Sequence, residues 1–113
     1  MAKYDLSLDT VFTALGDPTR RAILERLARG PASVSELAAP FDMAMPSFMA
    51  HLKKLEAAGL IASEKDGRVR TCALVPGAFA PARDWLTAQR DLWEARLDRF
   101  DAFVTQLAKD QSR

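Results

Sequence analysis

Up to Ala58 the apolar residues recur at intervals of three and four, in short runs broken by glycine and proline. Beyond Leu60 they alternate, and beyond Phe79 the helical interval returns. That succession predicts short helices, then a hairpin, then one long helix. The first run, Leu8 to Leu15, sets Val11, Phe12 and Leu15 on one face and stops at Gly16, a residue free to take the left-handed conformation just past a helix end. In "GDPTRRAILERLARG" a second helix begins. Asp17 can accept from the free amides of its first turn, and Pro18 loses nothing there by lacking an N–H. Ala22, Ile23, Leu27 and Ala28 form its apolar stripe, and Gly30-Pro31 end it.

"SVSE" at Ser33 to Glu36 fits a capping box, in which hydroxyl and carboxylate reciprocally satisfy backbone amides. A helix of two turns should follow, with Val34, Leu37 and Ala38 inward and Pro40 closing it. The next stretch, "MAMPSFMAHLKKLEAAGL", predicts a helix with Pro46 in its first turn, running to about Ala58 and stopping at Gly59. After it, "LIASEKDGRVRTCAL" suits strands on both sides of Asp66-Gly67, a two-residue turn of type I′, with Lys65, Arg68 and Arg70 at or near the tip. Short helices followed by such a hairpin make a winged helix-turn-helix, mainly α with a small β-hairpin. Its core falls at about 17–75 of a single domain, 1–113. From Phe79 or Pro81 to about Lys109 one helix carries Leu86, Arg90, Trp93, Leu97, Phe100, Val104 and Leu107 at alternating intervals of four and three. This is a coiled-coil-like seam interrupted once, at Arg90. Trp85 and Trp93 read as core or dimer-interface residues.

Composition narrows the function. With 49% apolar and 27% charged residues the chain is ordinary for a globular domain, and no apolar run approaches the roughly 18 residues of a membrane span. The amino terminus lacks an apolar stretch before a small-residue cleavage site, so no secretory signal is expected and a cytoplasmic location follows by default. One cysteine, Cys72, and one histidine, His51, exclude an intramolecular disulfide and a Cys/His zinc site within one chain; no metal or cofactor is expected. Paired carboxylates, an activated nucleophile and a glycine-rich phosphate loop are all missing, which argues against an enzyme. Net charge is only +1, so DNA contact must come from local placement. Residues 17–75 carry nine Lys/Arg against seven Asp/Glu, while residues 78–113 carry six of each.

That placement centres on the helix after Met43. At about 100° per residue, Met45, Phe48, Leu52 and Leu55 share one face, the side to be packed on the domain. Pro46, Ser47, Ala50, Lys53, Lys54 and Ala57 share the opposite face, with Met49 and His51 on the flanks. Its amino-terminal half, with Pro46, Ser47 and Ala50, lacks the bidentate donors by which Arg reads guanine or Asn and Gln read adenine, but small apolar side chains can touch thymine methyls. Lys53 and Lys54 are placed to neutralise phosphates. Arg68 and Arg70 alternate with Val69 and would point to one side of their strand, towards a minor groove or flanking phosphate. Each set has a plainer use as solvated surface, and the surrounding helix-turn-helix pattern favours contact. His51 reads as a hydrogen-bonding or phosphate-contacting side chain, and Cys72 as a small apolar group facing the protein.

"ALGDPTRRAILERLARG", "SVSELA", "PSFMAHLKKLEAAGLI" and "GRVRTCAL" together resemble the ArsR family of bacterial winged-helix repressors, in that family's order and spacing. The tail "WLTAQRDLWEARLDRFDAFV" is similar to a subgroup with a Trp-Leu, Arg and Trp-Glu pattern in its last helix. The resemblance implies a homodimer formed through the terminal helices, here Val11, Phe12 and Leu15 with Leu86, Trp93, Leu97, Phe100, Val104 and Leu107. It further implies repression of transcription, relieved by an effector. Two departures stand out. Metal-sensing members carry Cys-x-Cys before the recognition helix, or His and acidic ligands in the last helix; this chain has "SELAAPF" at the first place and no histidine at the second, so those sites are excluded. Members also commonly have Ser where Ala44 stands, a polar residue at Met45, and Ser then a basic residue at Met49-Ala50.

Double-stranded DNA, a second copy of the chain and a small-molecule effector are therefore the expected partners, with no membrane. Two other readings compete. One is a winged-helix protein-interaction module with weak DNA binding, in which Met45, Phe48 and Met49 form an adaptable apolar surface. The other is a thiol-responsive repressor acting through Cys72.

Overall fold

The computed structural model describes residues 6–111; residues 1–5, part of the stretch read for a secretory signal, and residues 112–113 lie outside the described residues. The order is α1 (Leu6–Leu15), α2 (Pro18–Leu27), β1 (Ala32–Ser33), α3 (Val34–Ala38), α4 (Met45–Ala57), β2 (Ile61–Asp66), β3 (Val69–Leu74) and α5 (Ala80–Gln111). The strands form an antiparallel sheet ordered β1-β3-β2. With α3 and α4 as the helix-turn-helix and β2-β3 as the wing, this is a winged helix-turn-helix. The chain divides into a unit up to Ala80 and a second from Pro81 onward.

Local chemistry sets most boundaries. Asp17 caps α2 by accepting from the Arg20 N–H at 3.1 Å, with Pro18 opening the helix. The capping box of α3 is complete: Ser33 Oγ accepts from the Glu36 N–H, and Glu36 Oε1 accepts from the Ser33 N–H, both at 3.1 Å. At the end of α4, Gly59 takes φ +73°, the Gly59 N–H reaches the Glu56 carbonyl at 2.9 Å and the Leu60 N–H the Leu55 carbonyl at 3.1 Å. These two bonds are the Schellman pair, which turns the chain while satisfying carbonyls the helix leaves free.

Several expectations are corrected. Gly16 does not adopt a positive φ. The Gly16 N–H reaches the Thr13 carbonyl at 3.2 Å, and the rest of the end of α1 is satisfied from outside: Arg20 Nε donates to the Ala14 carbonyl at 2.7 Å, Arg20 Nη2 to Thr13 at 3.0 Å and Arg21 Nη1 to Leu15 at 2.7 Å. With those carbonyls taken by guanidinium groups, a left-handed glycine has nothing to add. The wing turn is Gly67-Arg68 rather than Asp66-Gly67, because Asp66 pairs with Val69 across the ladder. Gly67 holds φ +63° while Arg68 stays negative, the pattern of a type II′ turn, whose single positive φ falls on its first central residue. A short strand, β1, pairs Ala32 with Cys72 and Ser33 with Thr71; two residues carry too little pattern to announce it.

The first unit closes its own core. Ile23, Leu37, Phe48, Leu55, Leu60 and Cys72 are its largest fully buried side chains, joined by Leu24, Leu27, Leu52 and Ile61. Leu24 takes the inward place assigned to Ala28, which is exposed. Met45, expected inward, is 48% exposed: as the first residue of α4 it precedes the turn that Phe48 anchors. Among the described residues no helix is long and apolar enough to cross a membrane.

Candidate nucleic-acid interface

The candidate reading surface is built on α4. Phe48, Leu52 and Leu55 are buried, which fixes the rotation of the helix and turns Pro46, Ser47, Ala50, Lys53, Lys54 and Ala57 outward. Ala44 stands at the N-cap and makes no side-chain cap bond. An uncapped helix start leaves its first amides to water or to an anion such as phosphate.

A buried arginine braces this helix. Arg20, only 7% exposed, joins the α1 carbonyls described above to α4, its Nη1 lying 3.1 Å from His51 Nδ1. A guanidinium only donates, so His51 Nδ1 accepts and the ring proton sits on Nε2 when the imidazole is neutral. Asp17 Oδ2 lies 3.7 Å from the same Nδ1. The Arg20 backbone N–H holds the Asp17 carboxyl below its ordinary value; the His51 and Arg20 charges add to this and burial opposes it. His51 is thus engaged on the inner flank of α4, with its side chain 22% exposed. Arg20 is absent from the residues that the sequence marks as functional, although it lies three, four and seven residues before Ile23, Leu24 and Leu27, the spacing of one helix face.

The two lysines diverge. Lys53 shares a cleft with Met49, Glu56 and Arg70 on the wing side, whereas Lys54 borders an apolar groove of about 460 Å³ with Asp9, Thr13 and Ala14 of α1. They flank the ridge of Ala50 and Ala57, small enough for the backbone to come close to a base edge. On the wing, Arg70 Nη1 donates to Ser63 Oγ at 2.9 Å, and that hydroxyl donates to Glu56 Oε1 of α4 at 2.6 Å. This relay ties the wing to the reading helix. Lys65 and Arg70 are cross-strand partners, and like charges placed opposite each other repel unless an anion lies against them. Arg68 sits in the turn itself, so it does not alternate with Arg70 along one strand as expected.

Cys72 is fully buried beneath the sheet. Burial pushes its thiol up, the Glu56 carboxylate adds to this, and Arg70 pulls slightly the other way. A buried thiol with little thiolate reacts slowly with oxidants. Among the described residues no group of three or more His, Cys, Asp or Glu could hold a metal ion.

The dimer-seam residues divide. Val11 is in the core at 3% exposure, leaving Phe12 and Leu15 half-buried at the surface of α1. On α5, Leu86, Trp93, Leu97, Phe100, Val104 and Leu107 are all exposed, from 43% to 61%. Trp85, Leu92 and Phe103 are exposed too and widen the apolar sector to about 140° at 100° per residue. Leu92 and Phe103 fall outside the strict alternation of four and three, and so the seam pattern does not include them. A sector of that width exceeds a two-helix seam and suits burial against more than one helix. Arg90, the polar interruption, pairs with Asp91 at 3.2 Å and Glu94 at 3.9 Å.

Comparison with known proteins places this geometry. A helix-turn-helix domain family matches residues 15–64. The chain is 43% identical over 77 residues to the HTH-type transcriptional regulator Rv2034 of Mycobacterium tuberculosis, covering 68% of this chain and 72% of that protein. It is 30% identical over 79 residues to the transcriptional repressor SdpR of Bacillus subtilis, covering 70% and 88%. A crystal structure of the ArsR family transcriptional regulator RHA00566 superposes with a TM-score of 0.77 at 57% identity, covering 83% of this chain and 97% of that one.

Proposed function

Because the chain belongs to the ArsR family of winged helix-turn-helix transcriptional regulators, we propose that it is a homodimeric repressor that binds an operator in double-stranded DNA and is released by a small-molecule effector. The observation that carries the dimer is α5, whose nine large apolar residues from Trp85 to Leu107 stay exposed in a single chain. Burying each of them would contribute roughly 1.5–3 kcal/mol, and a second copy supplies the matching surface. Pairing two chains sets two α4 helices into successive major grooves about 34 Å apart, so the operator is a near-palindrome. Lys53, Lys54, Lys65, Arg68 and Arg70 meet phosphates. The likeness to a transcriptional repressor of B. subtilis supports repression rather than activation. The protein acts in the cytoplasm, as a regulator and not an enzyme.

The test joins light scattering on the purified chain to binding of DNA from upstream of its own gene, against a scrambled duplex, over a salt series. A dimer that holds the first duplex far more tightly, with affinity falling steeply as salt rises, is expected. A monomer, or equal weak binding to both duplexes, overturns the proposal. Exposed Met45 gives a second reading some footing, a protein-interaction module with weak DNA binding. Phe48, however, is buried and unavailable to that surface. Equal binding to the two duplexes, with methionine oxidation unaffected by DNA, is the outcome that favours this module.

A further inference from the structure

Phosphate neutralisation does not account for the apolar side chains on the wing-facing flank of α4. Met45 is 48% exposed and Val69 of the wing 53% exposed. With Met49 they line a groove of about 480 Å³ between α4 and the wing, which Lys65, Arg68 and Arg70 also line. Cations interleaved with apolar groups suit a partner that presents negative charge and apolar features side by side. The edge of a DNA duplex does so wherever a thymine C5-methyl stands in the major groove beside the backbone. From Met45 to Ala57, α4 contains no Asn, Gln or Arg, and its two lysines, Lys53 and Lys54, come only after the first half, so bidentate reading of adenine or guanine is closed to the half that carries Met45, Met49 and Ala50. Thymine's methyl is the base feature that the apolar side chains of this half fit.

We propose that α4 selects its operator by thymine methyl groups held against Met45, Met49 and Ala50, while Lys65, Arg68 and Arg70 neutralise the adjoining phosphates. This rests on the DNA-binding function above and names the sequence class that function reads: half-sites with thymine under the reading helix. The unbranched thioether of methionine adapts its shape, so it can close on a methyl without demanding one fixed hydrogen-bond geometry. Cytosine carries only hydrogen at C5 and leaves the same position empty.

The experiment begins with selection of bound sequences from random duplexes, followed by replacement of the enriched thymines with deoxyuridine, which removes the methyl and keeps the base pair. Losing one methyl per half-site should weaken binding about fourfold per half-site (about 0.8 kcal/mol), hence roughly fifteenfold for a two-fold symmetric operator. In the Met45→Gln/Met49→Gln double variant, altered at one exposed and one half-buried position and checked for an unchanged fold by circular dichroism, the thymine-to-uracil ratio should fall towards one while the salt dependence stays as it was. Uracil duplexes bound as tightly as thymine duplexes by the unaltered protein overturn the inference but leave DNA binding standing. An unchanged ratio in the double variant overturns the assignment to the methionines. Selection that enriches nothing overturns both the DNA-reading function and this inference.

Discussion

In the first unit Ile23, Phe48 and Leu55 are 0%, 1% and 0% exposed, whereas on α5 Leu92, Trp93 and Phe100 are 62%, 61% and 61% exposed. Both regions are rich in large apolar residues, yet one chain buries the first set and not the second. Helices α1 to α4 and the three strands enclose a core from several directions. The unit from Pro81 onward is a single helix, and one helix cannot enclose its own apolar sector. The stability of the winged domain is therefore a property of the chain, and that of α5 a property of the assembly.

The contrast breaks most visibly through paired substitutions. Phe48→Ala removes a ring from a closed core and should cost about 3–5 kcal/mol in denaturant unfolding, the range for such cavities. Leu97→Glu with Phe100→Glu should instead leave the winged unit folded by circular dichroism and convert the protein to a monomer in light scattering, with melting no longer dependent on concentration. If the Glu pair unfolds the winged unit outright, the two regions are not energetically separate and the comparison fails.

A smaller effect tests what braces the reading helix. Arg20→Leu fills much of the same space but strips donors from the Ala14 and Thr13 carbonyls and from His51 Nδ1. The Thr13 carbonyl keeps the Gly16 N–H at 3.2 Å, so the loss falls on the Ala14 carbonyl and His51 Nδ1, and leaving such acceptors unpaired costs about 1–3 kcal/mol, read in denaturant. Arg20→Lys should recover little of it, since one ammonium cannot replicate the planar fork that reaches two helices. Full recovery with lysine would show that charge alone mattered.

Smaller again is the contribution of one exposed cation. Lys53→Ala should leave stability within about 0.5 kcal/mol. It should reduce the slope of log affinity against log salt by about two for a dimer, roughly 0.9 for each phosphate no longer neutralised. An unchanged slope would assign Lys53 to solvent.

The sequence disclosed what is encoded locally and withheld what depends on a distant partner. Asp17, the Ser33–Glu36 box and the stop at Gly59 are written in neighbouring residues, and the structure holds each of them. The exposed face of α4 was equally legible, because Phe48, Leu52 and Leu55 fix its rotation by their spacing. Gly16 misled because its conformation depends on what Arg20 and Arg21 reach from the next helix. The wing turn slipped by one residue because its register is set by pairing from Ile61↔Leu74 to Asp66↔Val69, and the Asp-Gly signal permits either neighbour. Burial of Val11, and the third strand, likewise follow from chain segments far apart in sequence.

The smallest expected effect concerns acid, and its sign follows from two caps. Backbone hydrogen bonds hold the carboxyls of Asp17 and Glu36 below their ordinary values of 3.8 and 4.5: the Arg20 N–H acts on Asp17, and the Ser33 N–H, with the Ser33 hydroxyl, on Glu36. A carboxyl whose pKa is lower in the folded chain binds fewer protons there than when unfolded. Its stabilisation is therefore complete above the unfolded value and is lost as pH falls through the folded one. Melting temperature should stay level with respect to these groups above about pH 5 and decline below it. Asp17→Asn and Glu36→Gln keep an oxygen that accepts the same backbone bonds while removing the titration, so the combined variant should melt lower at neutral pH and show a shallower acid decline. Both side chains are solvated, which keeps the difference small. Parallel acid limbs for the variant and the unaltered protein would mean that other carboxylates, not the caps of α2 and α3, set the response of the winged unit to acid.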